Sequence, residues 1–276
     1  MYEFHASDKV RLRIEFGSGD IALEASETDR VRIDLTGDGE SGGSLVDQTV
    51  IEQRGDEVVV DVPRRTGFLR RSPSLDLRVL VPLGTRVDVK ADAVDIDATG
   101  RLGDTQIKIG SGDLRLDHTA DVRVQTGSGD VTIGTADGTA TLSTGSGDVT
   151  CRALAGLGRV NSGSGDIRIE RAGGPLQVNS ASGDICIDDA ADDVTVDSAS
   201  GDQHLSRVTR GRVRLNSASG DLHVGVADGT PVWLDVNTLT GSVSSALSGG
   251  EPPGDGEAAV ELRVNTVSGD ISLART

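Results

Sequence analysis

The sequence predicts an all-β fold, a single-stranded parallel β-solenoid (β-helix) of about 18 residues per coil with an elaborated N-terminal β region. Three observations predict it. The unit Ser-Gly-Asp, with an aliphatic residue after it, recurs so that its aspartates fall at Asp113, Asp130, Asp148, Asp166, Asp184, Asp202 and Asp221, at intervals of 17, 18, 18, 18, 18 and 19 residues. Apolar and polar residues alternate around each copy. Positions eight and six before the Asp hold pairs such as Leu176 and Val178 or Val213 and Leu215, and positions one and three after it hold pairs such as Val131 and Ile133 or Ile167 and Ile169. A period of two means strand, with those residues pointing inward. The third observation is composition: 37 of 276 residues are glycine and only 2% are aromatic, which suits a thin aliphatic core with frequent corners.

Within one coil each residue type has a reason. The glycine of Ser-Gly-Asp permits a positive φ at the corner, while Ser and Asp can bond the turn backbone. Four residues before the Asp stands a small hydroxylated residue, as at Thr126, Thr144, Ser162, Ser180, Ser198 and Ser217. A second corner follows the second strand, as in Ala136-Asp-Gly-Thr139 or Ala172-Gly-Gly-Pro175. Each coil needs its neighbours to bury its inner face, so the coils stand or fall as a stack.

Taken in order, residues 9–16 and 20–24 alternate around Gly17-Ser-Gly-Asp20 and form an early coil, with Tyr2 and Phe4 placed to cover the end of the stack. Residues 29–36 read as a strand and the glycine-rich 37–44 as a loop. Strands at 48–53 and 56–62 straddle Arg54-Gly-Asp56 as a hairpin. A second loop, 63–74, leads into two alternating strands at 75–91 joined at Pro82-Leu-Gly84. Residues 1–91 are thus an N-terminal β region and cap with two loops, and 92–276 a regular solenoid, all in one continuous domain. Thr240-Gly-Ser242 stands where Ser-Gly-Asp is expected, and 245–258 reads as an inserted loop. The last coil, 260–274, restores the motif at Asp270, so the stack is expected to end on an uncapped edge at Ile271–Thr276. About ten coils spaced about 4.8 Å apart give a rod of roughly 48 Å.

The strand pair ending in Val81-Pro-Leu-Gly84, followed by the ladder of Ser-Gly-Asp-Ile/Val units, resembles the bacterial "putative adhesin" β-strand-repeat family of unknown function. The resemblance covers nearly the whole chain. It implies a single-stranded parallel β-helix and a role at the cell surface or in envelope stress, in a family whose members are often exported or attached to membranes.

Charge excludes some partners. With 27 Lys and Arg against 44 Asp and Glu the formal net charge is −17, which argues against nucleic acid and against a broadly attractive face for anionic membranes. The N-terminus shows no signal-peptide pattern, and no stretch approaches the roughly 20 apolar residues of a transmembrane segment. The expectation is a cytoplasmic protein. Catalysis is not expected. Gly37-Asp-Gly-Glu-Ser-Gly42 has the spacing of a dinucleotide fingerprint and Gly39-Glu-Ser-Gly-Gly43 that of a nucleophile elbow, yet neither is expected to be followed by the helix that such a site needs, and acidic residues would repel a pyrophosphate. The serines of Ser-Gly-Asp recur in at least seven copies, as corner residues do and catalytic residues do not.

Four features remain as candidate sites. Asp113, Asp130, Asp148, Asp166, Asp184, Asp202, Asp221 and Asp270 form a structural turn column. Like charges about 4.8 Å apart repel by about 1 kcal/mol in water and about 3.5 kcal/mol at an effective dielectric of 20, so corner bonds must offset them. No cofactor is expected; one carboxylate per coil offers weak divalent-cation binding and falls short of the six to eight oxygens that Ca²⁺ takes. A second column, five before each Asp, holds Asn161, Asn179, Asp197, Asn216, Asn237 and Asn265 and predicts an outward amide ladder. Third, Cys186, His204 and His223 each lie two beyond an Asp in successive coils and form a candidate transition-metal site. Cys151 faces the core, so no disulfide joins the two cysteines. Fourth, Arg64, Arg65, Phe68, Leu69, Arg70 and Arg71 gather four arginines around two apolar residues as a candidate docking element. The reading is a non-enzymatic scaffold or interaction protein associated with the envelope. It meets a protein partner or self-associates through the solenoid end. The competing readings are a self-assembling filament protein and a metal-binding protein.

Overall fold

The computed structural model describes residues 1–6, 10–63, 74–247 and 259–276. The chain divides into two units, Met1–Asp137 and Gly138–Thr276. Unit 1 contains β1 (Tyr2–His5), β2 (Arg11–Ser26), β3 (Arg30–Gly37), α1 (Gly39–Gln48), β4 (Val50–Arg54), β5 (Glu57–Asp61), β6 (Leu75–Pro82), β7 (Arg86–Arg101), β8 (Thr105–Ser111), β9 (Leu114–Thr119), β10 (Val122–Ser128) and β11 (Val131–Ala136). Unit 2 contains β12 (Ala140–Ser146), β13 (Val149–Leu154), β14 (Gly158–Ser164), β15 (Ile167–Ala172), β16 (Leu176–Ser180), β17 (Ile185–Ala190), β18 (Val194–Ser200), β19 (Gln203–Val208), β20 (Gly211–Ser219), β21 (Leu222–Val226), β22 (Val232–Thr240), β23 (Val243–Ser245), β24 (Val260–Ser268) and β25 (Ile271–Arg275). The fold is the all-β solenoid that the repeat predicts.

Alternation sets the inside from the outside. In β15 the side chains of Ile167 and Ile169 are fully buried while Arg168 is exposed, and in β16 Leu176 and Val178 are buried around an exposed Gln177. Each such aliphatic chain removed from water contributes about 1.5–3 kcal/mol, and it is buried only because the coils on either side cover it. Cys151 lies in the core at 0% exposure and Cys186 half-buried on the outer side, both as free thiols. One inward position departs from the aliphatic pattern. After Asp202 stands Gln203, also 0% exposed, whose Nε2 donates to the carbonyl of Asn216 at 3.1 Å.

The order of the coils in space differs from their order in sequence at both extremes. In unit 1, β2 pairs in parallel with β7 along its length, from Arg11 opposite Arg86 to Glu24 opposite Thr99. On its other side lie β5 and β6, which pair with the two halves of β2 and together make one coil. Antiparallel β4 covers β5, and antiparallel β3 covers β6, with β1 at the margin of β3. The early coil is therefore one step inside the stack. Tyr2 and Phe4 sit on that marginal strand, Tyr2 exposed and Phe4 half-buried.

Unit 2 repeats the device. The strand pairs from β12/β13 to β20/β21 stack in sequence order. The next position, however, is taken by β24/β25, and β22/β23 stacks outside it. The expected end at Ile271–Thr276 is thus corrected: β25 is sandwiched, and the terminal coil is residues 232–245. Side-chain chemistry explains the order. The first strands are alike, with Val232, Leu234, Val236 and Thr238 opposite Val260, Leu262, Val264 and Thr266, but β25 sets Ile271 and Leu273 inward, at most 2% exposed, where β23 has Val243 and Ser245, so the coil with the more apolar second strand is the sandwiched one. The C-terminus is tied down by Thr276 N–H to the Val226 carbonyl at 3.0 Å and by Arg275 to the carbonyls of Ala227 and Thr230 at 3.1 and 2.7 Å.

A second correction concerns 37–44, where the structure has a helix and not a loop. Glycine density hid it, and glycine makes it fit. A Cβ on Gly42 would stand 2.6 Å from the backbone carbon of Gly37, so the pair lets α1 lie directly against the end of β3, with Leu45 buried beneath. The fingerprint at Gly37–Gly42 therefore does have a helix behind it. The rest of a dinucleotide fold is missing, because β3 runs antiparallel to its neighbours β1 and β6, and the strand after α1 enters an antiparallel hairpin. The side chain of Asp38 caps no helix N–H, and Glu40 adds a further carboxylate in the first turn.

Candidate functional site

The Ser-Gly-Asp corner is a ladder of bonds between coils. In unit 2 each carboxylate accepts the backbone N–H of the aspartate one coil further along: Asp166 to Asp148 at 2.8 Å, Asp184 to Asp166 at 2.9 Å, and Asp202 to Asp184, Asp221 to Asp202 and Asp270 to Asp221, each at 2.8 Å. The Ser242 N–H closes the series on Asp270 at 2.8 Å. In unit 1 the same bond joins Asp130 to Asp113 at 3.0 Å and Asp113 to Asp95 at 2.8 Å. Asp95 lies in Ala93-Val94-Asp95 and carries no Ser-Gly; its only sequence signal is the interval of 18 to Asp113. A charge-assisted bond per coil is what offsets the like-charge column. The hydroxyl four residues before each Asp has its own task. Thr126, Thr144, Ser162, Ser180, Ser198, Ser217 and Thr266 each donate to the carbonyl two residues on, at 2.9–3.2 Å, and so close the bend from inside.

These geometries predict a split between two substitutions at Asp184. Asp184→Ala removes the acceptor of the Asp202 N–H and is expected to cost about 1 kcal/mol. Asp184→Asn keeps an acceptor oxygen and removes repulsion from Asp166 and Asp202, so its stability in urea is expected to equal or exceed that of the parent. At the end of the ladder the Ser242 backbone N–H, and then its side chain, hold the Asp270 carboxyl below the ordinary carboxylate range. A depressed folded value means that its contribution is present above the unfolded value near 4 and is lost as pH falls through the folded one.

The amide column is a ladder as well. Asn179 donates to Asn161 at 2.9 Å, Asn216 to Asp197 at 2.8 Å, Asn265 to Asn216 at 3.2 Å and Asn237 to Asn265 at 3.3 Å. The displaced order of β22 and β24 also builds a groove of about 230 Å³ that the linear sequence hides, lined in part by Asp193, Arg212, Arg214, Glu261 and Arg263. Arg212 pairs with Asp193 at 3.1 Å and Arg263 with Glu261 at 2.8 Å, while the guanidinium of Arg263 lies 5.5 Å from the ring centre of Trp233. The charges there are largely matched pairwise. In unit 1 a cleft of about 660 Å³ beside Gly17–Asp20 is lined by Asp20, Asp92, Asp95 and Ser111 among others.

The cysteine and histidine column is assembled in register. Cys186 stands opposite His204, and His204 opposite His223, with Arg168 before them and Ser272 after. The two imidazoles stack face to face, 4.5 Å between centroids and 7° between planes. Parallel rings aim their nitrogens alongside one another and not at a common point. The Cys186 thiol donates to Asp188 at 3.4 Å and accepts from Arg168 at 3.6 Å, and burial followed by that aspartate pushes it above the usual thiol range. Among the described residues no group of three or more His, Cys, Asp or Glu side chains has the arrangement of a metal site. Burial, and then the neighbouring His204, push His223 below the usual histidine range. The unfolded chain therefore binds more protons near pH 6, so stability is expected to fall as pH drops from about 7.5 to 5.5. His223→Asn should flatten that slope in urea titrations, and an unchanged slope would assign it elsewhere.

The candidate docking residues Arg64, Arg65, Phe68, Leu69, Arg70 and Arg71 lie outside the described residues. Among the described residues no helix is long and apolar enough to cross a membrane.

Comparison with known proteins gives the following. The family model described as Toastrack DUF4097 matches residues 10–274. No curated protein matches the sequence. Among solved structures, a "putative adhesin" from Parabacteroides distasonis is 12% identical with a TM-score of 0.48, over 98% of this chain and 95% of that one. A "putative adhesin" from Bacteroides fragilis is 12% identical with a TM-score of 0.43, over 100% and 95%. A "putative lipid binding protein" from Parabacteroides distasonis is 13% identical with a TM-score of 0.32, over 100% and 95%. The family match runs from the early coil of β2 to the sandwiched strand β25, the two places where the stack leaves sequence order, and the chain therefore belongs to the Toastrack DUF4097 family.

Proposed function

We propose that the protein is a non-enzymatic solenoid scaffold that works at the cytoplasmic face of the cell envelope and binds a partner through its outer surface and its Arg64–Arg71 segment. One observation carries the scaffold reading. The residues that recur from coil to coil, Asp at the corner and Ser or Thr four before it, are consumed in bonds that hold the stack together. The outward positions change from coil to coil, as in the series Thr150, Arg168, Cys186, His204 and His223. A constant frame that carries a varied surface suits recognition and not turnover. The envelope reading draws on the basic and aromatic composition of residues 64–71, since four arginines beside Phe68 and Leu69 match the anionic head groups that face the cytoplasm.

The test is co-sedimentation with vesicles of phosphatidylserine and phosphatidylcholine, alongside pull-downs, for the parent and a variant with Arg64, Arg65, Arg70 and Arg71 changed to Gln. Loss of recruitment in the variant supports the reading; equal binding of both proteins refutes it. Metal binding is a second reading, favoured by the in-register column of Cys186, His204 and His223. Calorimetry with Zn²⁺ on the parent and on Cys186→Ser/His204→Ala tests it, and equal weak heats would reject it.

A further inference from the structure

We infer that the protein forms a closed, two-fold dimer in which the free edge of β22 pairs antiparallel with the same strand of a second copy. The inference rests on coil order alone and is independent of the docking segment. Among the described residues β22 is bonded on one side only, to β24, and β23 only to β25. The inward residues Leu234 and Val236 are only half-buried, where their counterparts two coils further in, Val213 and Leu215, are 1% and 0% exposed. Leu239 is 77% exposed and Val243 48%. A bare strand edge with apolar side chains beside it is a template for another strand. The terminal coil of unit 1, in contrast, is covered by antiparallel β3 and β4. The segment that follows β23, residues 248–258, reads Ser-Gly-Gly-Glu-Pro-Pro-Gly-Asp-Gly-Glu-Ala, so the chain supplies no branched aliphatic or aromatic side chain of its own there.

The sequence of β22 favours its own copy as the occupant. In an antiparallel pair centred on Val236, the inward face sets Val236 against Val236 and Leu234 against Thr238. The outward face sets half-buried Trp233 against exposed Leu239, and Asp235 against Asn237. Moving the centre to Asp235 would oppose two carboxylates, and moving it to Asn237 would set Asp235 against Leu239. A shift of one residue would turn the inner face outward. One register therefore satisfies both faces. The contact is isologous and uses the free β22 edge of each copy, so that edge is consumed and assembly through it stops at two copies. With a net charge of −17 on each copy, association should strengthen as salt rises.

Sedimentation equilibrium on the full chain, over about 1 to 100 µM, the range of weak interfaces, tests this. The parent is expected to show a monomer–dimer equilibrium that shifts toward dimer with salt. Leu239→Lys should leave only monomer. Asn237→Asp should weaken the dimer about tenfold, because it places two symmetry-related carboxylate pairs face to face, and Asn237→Lys should strengthen it by a similar factor through Lys–Asp pairs. Both Asn237 variants lose the same amide bonds, to Asn265 and to Asp235 of their own strand; urea titration of each variant as monomer reads the new charge beside Asp235 within the strand, so that opposite shifts in the dimer beyond it isolate the pairing. Both substituted positions are exposed, and circular dichroism should show every variant folded. Monomer at all concentrations overturns the inference, as do species larger than a dimer or shifts of equal sign in the two Asn237 variants.

Discussion

Deletion of residues 259–276 is expected to strip hydrogen-exchange protection from residues 232–245, and not merely to trim the last strands. In a solenoid whose coils stack in sequence order, removing the last coil leaves the one before it intact with a new edge. Here the last coil in sequence is sandwiched, so its loss gives β20 and β21 a new edge while they keep β18 and β19, and leaves β22 and β23 unpaired. The N–H groups of Gly220 and Leu222 lose their acceptors on Ser268 and Asp270, and the carbonyls of Pro231 and Ser242 lose their donors on Val260 and Ile271. β22 and β23 have no other strand partner among the described residues. They are poor replacements for what was removed, since β23 offers Val243 and Ser245 where β25 offers Ile271 and Leu273. Exchange measured by mass spectrometry on the truncated chain checks this. Retained protection at 232–245 would mean that the outer strands had slipped inward by one coil, and coil order would then carry little energy.

That displaced order was the least legible part of the fold, and the reason is physical. Parallel in-register strands with the same inside-outside alternation are interchangeable at the level of pattern, so the repeat identifies coils but not which coil touches which. What distinguishes them is the inner face of the second strand, Ile271 and Leu273 against Val243 and Ser245, since β22 and β24 match position for position down to Thr238 and Thr266. The coil itself was legible because burial has period two and the corner needs glycine. The outward amide ladder was legible for the same reason, since odd positions in the register must face out. The helix at Gly39–Gln48 was not, because glycines that permit close packing on β3 look in sequence like glycines that permit a loop. The column of Cys186, His204 and His223 was placed correctly on one face, whereas the direction of the rings depends on side-chain torsions that spacing does not encode.

Gly165→Ala is expected to destabilise the protein by about 3 kcal/mol or more, lowering the thermal transition by roughly 6–12 °C on the scaling for chains of this size, while Gly173→Ala should change it little. Two costs add at Gly165. Its φ is +112°, where an L-residue with a Cβ is strained. The Cβ would also stand 2.3 Å from the carbonyl oxygen of Gly147 and 2.6 Å from its carbon, and both are backbone atoms of the next coil that no side-chain rotation can move. The clash is relieved only by separating the two coils, which lengthens the bond from Asp166 N–H to Asp148, now 2.8 Å, and loosens the aliphatic contacts beneath it. Gly173 has no positive φ, and a Cβ there would meet its nearest atom at 3.5 Å, an ordinary contact. There alanine restricts the unfolded chain and adds no strain, so its effect should lie within about 0.5 kcal/mol of zero and on the stabilising side. Differential scanning calorimetry of the two variants decides the point: equal transitions would show that the corner glycines are merely compositional and that the stacking distance at Ser-Gly-Asp does not limit the side chain.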